Sequence, residues 1–231
     1  MLKVIESAVP VACWSCSVAR NESTLFCPDC SKIQPPSHGD YFSVFGLERR
    51  LNLDQAALEQ EFHRLSRRLH PDRFTRASEN EKRWSLADTA LLNDAYRTLK
   101  DPLRRTEYLL KLEGAEVGPA AAASSPAAIQ QNQPSGLLEE VFELNMQIEQ
   151  MREAGAAGEQ DPELEASLRQ AEGKFAGMMD TVDRDLRAQW AAWDAGGQAA
   201  RAAAQRAMVA LLDRRRYLSN LVRSVKEILG D

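Results

Sequence analysis

The stretch Arg64-Leu65-Ser66-Arg67-Arg68-Leu69-His70-Pro71-Asp72-Arg73-Phe74 decides how the middle of this 231-residue chain folds. Proline disfavours the helical conformation for the residue before it, so a helix running through Leu69 must stop at His70. Upstream, Asp54 is placed as an N-cap, and Leu58, Phe62, Leu65 and Leu69 recur at helical spacing, which predicts one buried stripe. Arg64, Arg67 and Arg68 fall on the other side, the last two where positive charge suits the C-terminal end of the helix dipole. By themselves these three arginines read as a solvated helix face.

Beyond His70-Pro71-Asp72 a loop runs through Ser78, and a second helix is expected from Glu79 to Lys100 with Trp84, Ala87, Leu91, Ala95 and Leu99 on its inner face. Two amphipathic helices joined by a loop of this length pack antiparallel. Asp101-Pro102 then caps and opens a further helix that carries Leu103, Tyr108, Leu109 and Leu112. Before the hairpin, a turn at 35–39 leads into the short apolar piece Asp40-Tyr41-Phe42-Ser43-Val44-Phe45-Gly46-Leu47.

All four cysteines precede that piece, as Cys13-x-x-Cys16 and Cys27-x-x-Cys30. Two thiolates three residues apart can fold back on one ion, and a second such knuckle completes a tetrahedral set suited to zinc. Two disulfides are the alternative, but they need an oxidising compartment. The segment between the pairs is too short for a helical DNA-reading finger, and the set lacks that finger's histidines. Four thiolates close the coordination shell, so one structural zinc ion is expected, with redox use or cluster ligation the lesser reading.

After the hairpin the composition shifts to Gly, Pro, Ala, Ser and Gln over 113–136, which reads as a flexible linker. Three helical segments follow, separated at Gly155 to Gly158 and at Gly196-Gly197. The first carries Leu137, Val141, Leu144, Ile148 and Met151. The second, opened by Asp161-Pro162, carries Leu164, Leu168, Phe175, Met178, Val182 and Leu186. The third shows a coiled-coil-like repeat from Ala204 to Leu229 broken by Arg215. An antiparallel three-helix bundle over 137–231 is the expectation. Leu138 and Phe142 form a second apolar stripe on the first of these helices, which suits either a partner surface or a wide buried face.

The whole therefore reads as all-α: a small zinc-binding segment over 1–36, a helical hairpin domain over 40–112, the linker, and the bundle. A net charge of −5 makes the chain a poor electrostatic fit to nucleic acid. No run approaches the roughly eighteen apolar residues of a membrane span, and the twelve residues before Cys13 are too few and too bland to identify a targeting presequence, which leaves organelle import open. No nucleophile constellation and no titratable cluster on the inner stripes points to an enzyme; His38 and His63 read as loop and surface residues.

A basic amphipathic helix, a His-Pro-Asp tripeptide in the next loop and an antiparallel partner helix together resemble the J-domain family. The match sharpens at Leu69-His70-Pro71-Asp72-Arg73-Phe74, at Leu92-Asn93-Asp94-Ala95-Tyr96-Arg97-Thr98-Leu99 and at Pro102-Leu103-Arg104-Arg105-Thr106-Glu107-Tyr108-Leu109-Leu110, which look like the HscB-type iron-sulfur co-chaperones. In the bundle, Leu138-Glu139-Glu140-Val141-Phe142-Glu143-Leu144 and Arg216-Tyr217-Leu218 are similar to that family's scaffold-binding region, and the paired cysteines resemble the extension of eukaryotic members.

The resemblance implies that His70, Pro71, Asp72, Arg64, Arg67 and Arg68 engage a DnaK-type ATPase chaperone, and that Leu138, Phe142, Glu143 and Tyr217 contact an iron-sulfur cluster scaffold protein. Cys13, Cys16, Cys27 and Cys30 would hold the zinc. It further implies a mitochondrial matrix location, with the cytoplasm and a homodimer left open. Two departures stand out: Glu139 occupies a position where an apolar contact residue is usual, and the linker is long. The rival functions are a general J-domain co-chaperone with other clients and a zinc-dependent nucleic-acid-binding module.

Overall fold

A computed structural model describes residues 11–20, 24–36, 39–117 and 137–230. The chain divides into two compact units, Met1–Leu109 and Leu110–Asp231. Most of the expected linker, from residue 118 to 136, lies outside the described residues, as does His38.

The first unit opens with two short antiparallel strands, β1 (Val11–Ala12) and β2 (Ala19–Arg20), with Val11 opposite Arg20. Helix α1 (Tyr41–Val44) is capped by Asp40, whose side chain accepts from the Ser43 amide. It closes at Gly46 (φ 65°), where the Gly46 and Leu47 amides return to the Ser43 and Phe42 carbonyls, a left-handed turn that glycine adopts without steric cost. Helix α2 (Gln55–Leu69) begins as expected at Asp54, which accepts from the Ala56 and Ala57 amides. A 3-10 turn, Pro71–Phe74, follows. Helix α3 (Glu79–Lys100) starts on a capping box in which Ser78 and Glu81 satisfy each other's backbone amides. Helix α4 (Pro102–Leu112) starts on Asp101, which accepts from the Leu103 and Arg104 amides.

Phe42, Leu51, Leu58, Leu65, Leu69, Leu92, Leu99 and Leu109 are all buried in this unit. Each buried leucine is worth about 1.5–3 kcal/mol, against about 0–1 kcal/mol for an exposed ion pair such as Arg97–Asp94, so the apolar stripe sets the stability.

One expected face is rotated. Ala95 and Leu99 are buried on α3 as anticipated, but its first turns bury Glu81, Ser85 and Asp88, leaving Trp84 and Leu91 half-buried and Ala87 exposed. For Ser85 the cause is the C-terminal end of α2, whose last carbonyls lack helical partners, while Glu81 turns in to cap the helix at Ser78 and to pair with Lys32. Ser85 Oγ donates to the Leu69 carbonyl at 2.6 Å, and Thr89 Oγ1 lies 3.4 Å from the same oxygen. Counting apolar residues cannot register that demand.

The second unit holds α5 (Leu138–Ala157), α6 (Pro162–Ala195) and α7 (Gln198–Leu229). The two long helices form an antiparallel hairpin turned by Gly196-Gly197 alone, and α5 packs against both. A Cβ on Gly196 would meet the Ala192 carbonyl at 2.5 Å and Ala200 Cβ at 2.7 Å, so the tight turn requires glycine for space. Helix α5 runs through Gly155 and stops at Gly158 (φ 72°), later than the expected break. Leu137, Leu144, Ile148, Leu168, Phe175, Val182, Leu218 and Val225 make one core. Arg215, which breaks the apolar repeat of α7, pairs with Asp183 of α6 at 2.6 and 3.3 Å, a two-point contact that also fixes helix register. Among the described residues no helix is long and apolar enough to cross a membrane.

Candidate functional site

His70, Pro71 and Asp72 stand exposed where α2 gives way to the 3-10 turn, with 86% of the Asp72 side chain open to solvent. Burial of Leu69 and its carbonyl bond to Ser85 anchor the base of this tip, so the tripeptide projects from a fixed platform. The local geometry is tight: His70 Nδ1 accepts from the Asp72 amide at 3.3 Å and lies 3.5 Å from its carboxylate, and Thr75 Oγ1 donates to the Asp72 carbonyl.

The three arginines occupy different situations. Arg64 is paired with Glu61, which raises the arginine's pKa, with burial acting against it, and lowers the glutamate's. Arg67 donates to the His63 carbonyl. Arg68, half-buried in the last turn of α2, is lowered by desolvation and then by the nearby charges of Arg64 and Arg73. Arg73 was missed as part of this basic surface. Its only signal in the sequence was its position next to the tripeptide.

The cysteine segment is built from two equivalent knuckles. In each, the first cysteine's amide donates to a carbonyl five residues on, Val18 or Lys32, and its carbonyl accepts from the residue after the second cysteine, Ser17 or Ser31. Ser17 and Ser31 both take positive φ, 62° and 56°, the conformation that folds each knuckle back on itself. The four Sγ atoms lie within 4.8 Å of one another, with Cys13–Cys30 at 3.7 Å and Cys16–Cys27 at 3.6 Å. A tetrahedral ion with metal–sulfur bonds of about 2.3 Å gives edges of about 3.8 Å, whereas a disulfide needs about 2.05 Å. The four cysteines are positioned to hold a metal ion, and all are free thiols.

Burial raises the Cys13 thiol, but hydrogen bonds from the Cys16 and Ser15 amides and from the neighbouring thiols outweigh it and bring the group down to about 6. At Cys16 the Val18 amide lowers the pKa, yet burial and the surrounding sulfurs push it up to about 12. Crowded thiols of this kind favour a cation that neutralises them together. Gln34, fully buried, donates to Cys13 Sγ at 3.4 Å and to the Lys32 and Ile33 carbonyls, and so supports the cluster from behind.

This segment is fastened to the hairpin at three points. Trp14 meets Trp84 edge-on at 5.7 Å and donates from Nε1 to the Ile33 carbonyl at 2.7 Å. Lys32 pairs at 3.0 Å with the buried Glu81, whose carboxyl is lowered by the Ser78 amide and then by Lys32. Phe26 lies 3.9 Å beneath the Arg68 guanidinium.

On α5, Leu138 and Phe142 are 60% and 67% exposed, and Met146 at 50% continues their line one turn on. Met146 was missed, although its spacing of four from Phe142 carried the signal. Glu143 is exposed beside them, with Gln147 at 3.5 Å. Tyr217 lies half-buried on α7, and burial raises its hydroxyl pKa; no hydrogen bond or ring contact joins it to the α5 stripe among the described residues.

A DnaJ domain model matches residues 40–108. Over 167 residues the chain is 34% identical to the mouse iron-sulfur cluster co-chaperone protein HscB, covering 71% of this chain and 66% of that protein, just under two thirds of its length. It is 37% identical over 145 residues to a co-chaperone protein HscB homolog from an Azoarcus species, covering 62% of this chain and 77% of that one. The crystal structure of human co-chaperone protein HscB superposes with a TM-score of 0.64 at 27% identity, covering 94% of this chain and 98% of that chain.

Proposed function

The chain belongs to the HscB family of iron-sulfur cluster co-chaperones, and from that premise we propose that it delivers a cluster scaffold protein to a DnaK-type chaperone and stimulates the chaperone's ATPase. The family is one of co-chaperones, and the protein's part is to bring two others together; it forms and breaks no covalent bond itself.

The observation that carries this reading is the exposed His70-Pro71-Asp72 tip beside a basic surface. Asp72 is free to accept a charge-assisted bond from a chaperone arginine, and Pro71 fixes the loop that presents it. Arg64, Arg67 and Arg68, joined by Arg73, complement an acidic surface and raise the encounter rate. We assign the hairpin domain over 40–112 to the chaperone and the bundle over 137–231 to the scaffold. There Leu138 and Phe142, extended by Met146, supply apolar burial, Glu143 supplies orientation, and Tyr217 contributes from the last helix. Linking the two modules makes the second encounter intramolecular, so neither interaction needs to be tight.

Cys13, Cys16, Cys27 and Cys30 hold one zinc ion, which cross-links the two knuckles and leaves no position for substrate. A mitochondrial matrix location follows the eukaryotic relatives.

The test is the ATPase rate of a DnaK-type chaperone with this chain, with and without a cluster scaffold. Stimulation by the chain and a further, more than additive rise with scaffold are expected. Asp72→Asn should abolish both without lowering the melting temperature; full stimulation by that variant would remove the basis of the assignment.

A further inference from the structure

We propose that Phe26 is a positioning residue for Arg68: the cysteine segment holds an aromatic ring under the guanidinium so that its in-plane N–H groups reach the chaperone already oriented. The proposal rests on the reading of Arg68 as a chaperone contact and adds to it a role for the segment that carries the four cysteines.

The ring lies 3.9 Å from the guanidinium carbon, within stacking distance. Stacking covers one face of a planar guanidinium and leaves its five N–H donors, which point outward in the plane, available for a bidentate carboxylate. Arg64 is committed to Glu61 and Arg67 to the His63 carbonyl, whereas Arg68 makes no hydrogen bond or ion pair with any described residue. It is also the nearest of the three in sequence to the tripeptide, and Arg64 and Arg73 stand close to it. The stack thus holds an arginine without a hydrogen-bonded partner beside Arg64 and Arg73, whose repulsion the nearby Glu61 only partly offsets and an anionic partner surface relieves.

Phe26 is itself fixed. It bridges to Ile33, its neighbour Cys27 opens the second knuckle, and the Leu25 carbonyl accepts from the Gln34 amide. Immobilising a long side chain before binding removes part of the ordering cost of association, which is how a residue outside the interface can strengthen it.

The experiment titrates the 231-residue chain and its variants Phe26→Leu, Phe26→Tyr, Arg68→Ala and the Phe26→Leu, Arg68→Ala double against the host's DnaK-type chaperone in its ATP-bound state. Thermal melts and near-ultraviolet circular dichroism are followed in parallel. Phe26→Leu, which keeps the apolar bulk but loses the aromatic face, should bind about two- to fivefold more weakly. Phe26→Tyr should bind as the unmodified protein, and the double variant should be no weaker than Arg68→Ala alone. Unchanged affinity in Phe26→Leu overturns the proposal, as does equal weakening in Phe26→Leu and Phe26→Tyr, which marks a merely structural role. Arg68→Ala binding at full strength defeats the underlying reading instead.

Discussion

Two aspartates on either side of the same helical hairpin lie in opposite environments. Asp72 is open to solvent at the tip, whereas Asp88 is fully buried on α3 with neither carboxylate oxygen hydrogen-bonded among the described residues. Burial penalises the charged form and raises the Asp88 pKa from its ordinary 3.8 to about 7. The sign of its effect on stability follows from linkage. Below about pH 4 the group is neutral in both folded and unfolded chains and costs little. Between about pH 4 and pH 7 the unfolded chain gives up the proton while the folded one keeps it, so this residue's contribution to stability falls as pH rises. Asp88→Asn should therefore stabilise the protein at pH 8 by about 1–3 kcal/mol, with the gain shrinking towards pH 4. Urea denaturation of both proteins across that range is the check; a gain independent of pH would mean that Asp88 does not titrate as its burial requires. Comparing variant with parent removes the opposite trend of Glu61, Glu79 and Glu81, whose lowered pKa values favour the folded state at higher pH.

Helix α5 carries two apolar stripes that its sequence superimposes, one buried and one exposed. Leu144 and Ile148 enter the core with Phe175 and Leu218, and Lys174 of α6 pairs with Glu140 at 2.7 Å, so one side holds the helix in the bundle. Leu138, Phe142 and Met146, at successive steps of four, lie together in solvent. Exposed apolar groups aligned along one turn of helix after another are what the proposed scaffold contact requires. Phe142→Ala should weaken scaffold binding on the order of tenfold to thirtyfold while changing bundle stability by no more than about 0.5 kcal/mol. Met146→Ala should weaken it less. Calorimetric titration with the scaffold, beside thermal melts, separates the two quantities, and equal losses in affinity and stability would return these residues to the core. Stimulation of the chaperone's ATPase in the absence of scaffold should be untouched by either change.

For the molecule as a whole, the cysteine segment, positioned to hold a metal ion, is tied to the helical hairpin through Trp14–Trp84, Lys32–Glu81 and Phe26–Arg68. A structural metal stabilises only the state that binds it, so its removal should loosen these contacts. With a zinc chelator, the near-ultraviolet tryptophan signal should fall and the melting temperature of the first unit should drop, while far-ultraviolet helicity is largely kept; zinc should restore both. An unchanged tryptophan signal would show that the segment is held without metal. The six longer helices, the caps at Asp54, Asp101 and Asp161, the exposed tripeptide and the paired cysteines were legible in the sequence, because each depends on residues within a few positions of one another: Asp54 with Ala56 and Ala57, Pro71 with His70, Cys13 with Cys16. Folding in three dimensions decided what depends on residues far apart. It turned Ser85 inward because the distant end of α2 needed a donor, matched Arg215 to Asp183 across two helices, and laid Phe26 beneath Arg68. Periodicity reports the face a residue occupies on its own helix, but only packing determines what that face meets.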